Sequence, residues 1–123
     1  MDTSISSVIV STPLASFLSP STRTLLDAKT AKEIVGMFLN NLRNDKPRLN
    51  GAFMSSDWED IKFITEKLLG VAAYFDVPAL QNSLDEVMRA ACKQTLTQPM
   101  LDDLKLQMDS VIAWMSNEKK LNS

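Results

Sequence analysis

Residues 57–75 read Asp57-Trp58-Glu59-Asp60-Ile61-Lys62-Phe63-Ile64-Thr65-Glu66-Lys67-Leu68-Leu69-Gly70-Val71-Ala72-Ala73-Tyr74-Phe75. At about 100° per residue, Ile61, Ile64, Leu68, Val71, Ala72 and Phe75 gather on the side of a helix opposite Glu66. They form a core stripe. Glu59, Lys62, Phe63, Leu69, Gly70 and Ala73 all fall within roughly 60° of Glu66. That second face is unusual for a surface helix, because two large apolar residues, Phe63 and Leu69, flank one carboxylate. Gly70 and Ala73 are small and leave the backbone approachable. A glycine costs about 1 kcal/mol relative to alanine in a helix interior, so Gly70 calls for a reason. Ser55-Ser56-Asp57 supplies side chains that can cap free N–H groups, and Glu59-Asp60 favours the positive helix end.

The pattern extends in both directions. Upstream, Asp27 is placed to cap a helix from Ala28, with Ile34, Val35, Phe38, Leu39 and Leu42 on one face. Pro47 interrupts this run, since proline removes a helical hydrogen bond. Either the helix bends at Asp45–Pro47 or a new one starts there, and the pattern resumes at Leu49, Ala52 and Phe53. Downstream, Asp76-Val77-Pro78 is a tight link, and Pro78 suits the first turn of a helix over about 78–94. Its stripe is Leu80, Leu84, Val87, Met88 and Ala91. Thr97 caps a last helix carried by Leu101, Leu104, Leu106, Met108, Val111, Ile112 and Met115 to about Trp114–Ser116. Short links between helices imply antiparallel neighbours. The expected fold is all-α, an antiparallel four-helix bundle with an additional N-terminal segment or short helix. The bundle occupies 22–117, between an N-terminal tail or strap (1–21) and a C-terminal tail (118–123). Val8, Ile9, Val10, Leu14, Phe17 and Leu18 are too apolar for a free linker, and some of them are expected to lie on the bundle.

Composition narrows the function. The 123 residues carry a formal charge of −2 with dispersed Lys and Arg, which gives no basic stripe for nucleic acid. No apolar run approaches the roughly 18 residues of a membrane span, and Met1-Asp2-Thr3 lacks the positive start of a secretory signal. The single Cys92 excludes an intrachain disulfide and a multi-cysteine metal site. Lying in the apolar stretch from Val87, it reads as a buried structural thiol in a protein of the reducing cytoplasm. Above all, the chain contains no histidine. That removes the usual base near neutral pH and the commonest metal ligand. With no Gly-rich phosphate loop and no paired-acid motif either, no enzyme activity, catalytic residue, cofactor or metal is expected.

The run from Asp57-Trp58 through Glu66-Lys67-Leu68-Leu69-Gly70-Val71-Ala72-Ala73-Tyr74-Phe75-Asp76-Val77-Pro78-Ala79-Leu80 resembles the histidine-phosphotransfer (HPt) domain. That family shows a small polar link and Trp before its active helix. The helix carries His-x-Leu-Lys-Gly, then small residues, then a Gly-x-x-x-Leu turn. Leu68, Gly70, Leu80 and the Asp57-Trp58 start match. Glu33-Ile34-Val35, Phe38-Leu39 and Leu84-Asp85-Glu86 extend the resemblance, which as architecture covers about 28–115. The departures fall on the chemistry: Glu66 stands at the histidine position, Leu69 at the assisting basic position, and Asp76 at the turn glycine. Acyl phosphates form only in sites built with metal and further acids, and the charges near Glu66 are Lys62 and Lys67.

The resemblance therefore implies a pseudo-HPt binding module of two-component phosphorelay signalling. It would dock a response-regulator receiver domain or a sensor histidine kinase without phosphotransfer, as a monomer and with no nucleic-acid or membrane partner. The implied partner-binding residues are Lys62, Phe63, Glu66, Lys67, Leu69, Gly70 and Ala73. Glu66 then imitates part of a phosphoryl charge, or else it is a solvated surface residue loosely paired with Lys62. Two other readings stay open. The N-terminal segment could cover Phe63 and Leu69. The chain could instead be a structural or assembly bundle, possible as a homo-oligomer, using Met100, Met108, Met115 and Trp114, although such methionine stripes more often fill a core.

Overall fold

In the computed structural model, residues 17–23 and 27–121 are described. Helix α1 is the short Pro20–Arg23 and α2 is Ala28–Met54. α3 spans Trp58–Ala72, α4 Pro78–Cys92 and α5 Gln98–Leu121. The starts follow the sequence signals. Asp27 accepts the Thr30 N–H at 2.7 Å, which holds the Asp27 carboxyl below its ordinary pKa. Asp57 accepts the Asp60 N–H at 3.1 Å, and Pro78 opens α4.

α2–α3, α3–α4, α4–α5 and α5–α2 are the adjoining pairs, so the four long helices close a ring. Cross-links fix the direction of two of these pairs. Going down α2, Arg48 meets Asp60, Asp45 meets Lys67, and Phe38 stacks on Phe75 with ring centroids 4.6 Å apart. Numbers fall on α2 as they rise on α3, so the two helices are antiparallel. On the other flank of α2, Lys105 donates to Asn50, Lys46 to Asp109 and Arg43 to Ser116. α5 is therefore antiparallel to α2 as well. The fold is the all-α four-helix bundle with a short N-terminal helix that the sequence predicts.

Inside the ring lie Val35, Phe38, Leu42 and Leu49 of α2, Ile61, Ile64, Leu68 and Ala72 of α3, Leu80, Leu84 and Val87 of α4, and Leu101, Leu104, Met108 and Met115 of α5. The methionine stripe is thus core filling: Met108 and Met115 are fully buried and Met100 is half-buried against the core. Trp114 lies at the edge, its ring 4.4 Å from that of Phe17.

Phe17 and Leu18 are fully buried. Leu18 pairs with Phe75 as an isolated antiparallel bridge. Ser19 N–H donates to Tyr74 O at 3.1 Å and Asp76 N–H to Phe17 O at 2.6 Å. These bonds explain why α3 ends at Ala72 rather than at Phe75. The backbone of 74–76 must open to pair with the strap, while the Gln81 side chain donates to the Ala72 carbonyl. Val8, Ile9, Val10 and Leu14 lie outside the described residues.

One alternative is removed and two further expectations are corrected. α2 is continuous through Pro47, so no second helix starts there, and the proline sits on its exposed flank between cross-links to α3 and α5. Tertiary packing outweighs one lost helical bond there. Cys92 is exposed rather than buried. It ends α4, about 100° round from the buried Ala91. Leu106, counted with the apolar stripe of α5, is 64% exposed, because its neighbours Leu104 and Met108 already face the core.

The two faces of α3 should respond differently to truncation. Leu68→Ala, at a fully buried position, is expected to lower stability by about 2–5 kcal/mol. Phe63→Ala, more than half exposed, is expected to cost about 1 kcal/mol or less. Urea unfolding of the two variants measures both. Equal losses would mean that α3 is rotated from the orientation described.

Candidate functional site

The buried stripe fixes the rotation of α3 and so decides what it shows to solvent. Glu66, Gly70 and Ala73 are exposed, and Phe63 is 56% exposed. A Cβ built on Gly70 would meet nothing within 4 Å, so no internal contact requires a glycine there. Tyr74, 48% exposed, extends the face toward the strap. The described part of the strap lies against Tyr74–Asp76, beyond Ala73.

Leu69 departs from the expected arrangement. It is half-buried and packed against the core. On the helical circle Leu69 and Phe63 lie on opposite sides of Glu66, and α2 lies on the side of Phe63 and Lys67. The exposed apolar group beside Glu66 is therefore Phe63 rather than a Phe63–Leu69 pair.

The two lysines are committed elsewhere. Lys62 does not pair with Glu66; its Nζ lies 3.7 Å from Glu59 Oε1. Such an exposed i, i+3 pair contributes a few tenths of a kcal/mol. Lys67 Nζ lies 2.7 Å from Oδ2 of Asp45, a carboxylate that is only 4% exposed. That contact is an ion pair rather than an aligned hydrogen bond. It is one of the interactions sequence reasoning missed, since 22 residues separate the partners (67 − 45). The one local hint was an Asp two residues before a mid-helix proline.

One turn toward the start of α3, Arg48 forks onto Asp60. Its Nη2 donates to Oδ1 and its Nε to Oδ2 at 3.3 Å. The hydrogen bond to Asp60 holds the guanidinium pKa above its ordinary value. The Arg48 Cζ also lies 5.6 Å from the centroid of the Phe63 ring. Charges along this seam cancel in pairs: Asp45 with Lys67, Arg48 with Asp60, Lys62 with Glu59. Glu66 has no ion pair or hydrogen bond among the described residues. The face therefore presents one uncompensated carboxylate between an exposed aromatic ring and two small residues.

A model of the Hpt domain matches residues 33–114, two thirds of the chain. The chain belongs to the Hpt family. Membership of the Hpt family implies a role in phosphorelay signalling, and Hpt domains typically partner receiver domains or histidine kinases. No curated protein and no solved structure matches the chain. Among the described residues no helix of this Hpt domain is long and apolar enough to cross a membrane.

A contrasting polar region lies between α2 and α5. There Arg43, Lys46, Pro47, Asn50, Lys105, Asp109 and Ile112 line an open groove. Its cations are engaged by Ser116, Asp109 and Asn50, so they clip the helices together.

Lys67→Met should strand the buried Asp45 carboxylate and lower stability by about 1–3 kcal/mol. Asp45→Asn, which removes the charge that needs Lys67, should cost less. Equal stability of both variants and the parent in urea would show that the pair contributes nothing.

Proposed function

We infer that this Hpt domain is a non-enzymatic docking module that binds a receiver domain through the exposed face of α3 without transferring phosphate. The observation that carries this reading is the uncompensated Glu66 carboxylate, set between Phe63 and the Gly70–Ala73 step. It supports an interface in which an aromatic anchor and a fixed negative charge take the place of a transferable phosphoryl group. The chain has no histidine to phosphorylate. By resemblance Glu66 stands at the family's histidine position and Leu69 at its basic one. A carboxylate at that point supplies less charge and fewer acceptor atoms than a phosphoryl group. The module thereby occupies a receiver, or a histidine kinase, without relaying phosphate, and changes signalling by sequestering its partner.

Phe63 is the central contact, because large aromatic side chains carry most of the binding energy in small interfaces. Glu66, Gly70, Ala73, Lys62 and the exposed part of Lys67 surround it, and Leu69 supports the face from its half-buried position. The buried methionines of α5 leave little for an assembly interface built on that stripe.

The test is calorimetric titration with a panel of receiver domains from the same cell, run beside transfer of labelled phosphate from each phosphorylated receiver. Saturable binding with no label on the Hpt chain is the expected result. Phe63→Ala should weaken binding about 5- to 100-fold, the range for a central anchor, and Glu66→Lys should weaken it and reduce its salt dependence. Glu66→His should acquire acid-labile phosphate from a bound receiver, more readily when combined with Leu69→Lys. Label on the parent chain would overturn the reading. Binding by kinases alone would change the partner, and a Glu66→His chain that binds receivers but takes no label would remove Glu66 from the histidine position.

A further inference from the structure

We propose that Arg48, on α2, is a positioning residue for the docking face, holding the Phe63 ring in the orientation that a receiver surface meets. The inference rests on the docking reading above and adds a second helix to it. An isolated exposed phenylalanine samples several rotamers, and ordering it on binding opposes association. Phe63 is not isolated in this way. Asp60 and Phe63 are three residues apart on α3, so they share one flank of the helix. Arg48 reaches across from α2 and touches both. Its two donors on the two oxygens of Asp60 fix the plane of the guanidinium. That leaves its centre 5.6 Å from the Phe63 centroid, within cation–π range. Asp60 is itself held in the first turn of α3, where its N–H donates to Asp57.

The arrangement also settles the charge of the surface. Arg48 is neutralised by Asp60, so it steadies the ring without cancelling the field of Glu66. The occupant that fits is a receiver face offering an apolar seat for the Phe63 ring beside a cation for Glu66. Lysine could not replace Arg48, because a single ammonium cannot hold a carboxylate in a two-donor fork and face a ring with a planar cation at once.

The test is a double-mutant cycle of Arg48 and Phe63 read on binding to the receiver that the parent chain binds. Arg48→Ala should weaken binding about 3- to 10-fold, with Arg48→Lys nearly as weak. Arg48→Ala combined with Phe63→Ala should bind no worse than Phe63→Ala alone, a non-additivity that a merely stabilising residue would not produce. Parent affinity in Arg48→Ala, or losses that add, would overturn the proposal. A parent chain that binds no receiver at all defeats the docking reading and this inference with it, and shows as a flat titration before any variant is made. A partner-free measurement stands beside the cycle. In the free protein the Arg48 side-chain protons should be shifted upfield by the Phe63 ring current, and should return to ordinary values in Phe63→Leu. Unshifted Arg48 protons would also overturn the proposal.

Discussion

The burial of Ile61, Ile64, Leu68 and Ala72 between the neighbouring helices sets the rotation of α3, and the rest of the site depends on it. Each of these side chains is fully buried, and burying a residue of the Leu or Ile type contributes about 1.5–3 kcal/mol. Rotating the helix by one residue position would expose several of them together. No polar interaction on the outer face approaches that sum. Glu66, Gly70 and Ala73 therefore face solvent because the opposite stripe is held in place, and Phe63 stands at their edge.

Electrostatics then acts on a face that packing has already chosen. Lys67 is drawn toward α2 by a buried carboxylate, and Lys62 turns back to Glu59. Arg48 is taken up by Asp60. The two exposed pairs contribute little to stability, whereas Lys67 offsets the buried Asp45 carboxylate. Their consequence lies in which charge they leave over, and that charge is Glu66. The proposed docking function rests on this carboxylate and the aromatic ring beside it. Catalysis of phosphoryl transfer needs a nucleophile and groups that stabilise charge developing in the transition state. The chain has no histidine, and among the described residues no cation is paired with Glu66.

Much of this was legible in the sequence, where local rules decide the structure. The core stripe of α3, the caps at Asp27 and Asp57, the proline start of α4 and the ring of antiparallel helices follow from spacing and end signals. The features that escaped depend on contacts between distant residues. Nothing near Lys67 announces Asp45, and Arg48 beside Phe63 becomes visible only once α2 and α3 are antiparallel in a definite register. Pro47 was ambiguous because its local cost competes with packing on both flanks of α2. α3 ends at Ala72 although its apolar stripe continues to Phe75, because the strap that pairs with 74–76 comes from Phe17–Ser19, more than fifty residues earlier. Cys92 was misplaced because apolar neighbours in sequence are not neighbours on a helix face. Leu69 lay near the margin of the outward arc, where a helical circle cannot separate exposed from half-buried.

On the proposed function, the face around Glu66 is the surface a receiver meets. Backbone amide NMR of the chain, titrated with receiver domains from the same cell, tests it most directly. Saturable shifts centred on Phe63, Glu66, Gly70 and Ala73 and reaching Arg48 on α2 are the expected result. Saturable shifts confined to α5, or none with any receiver, would contradict it.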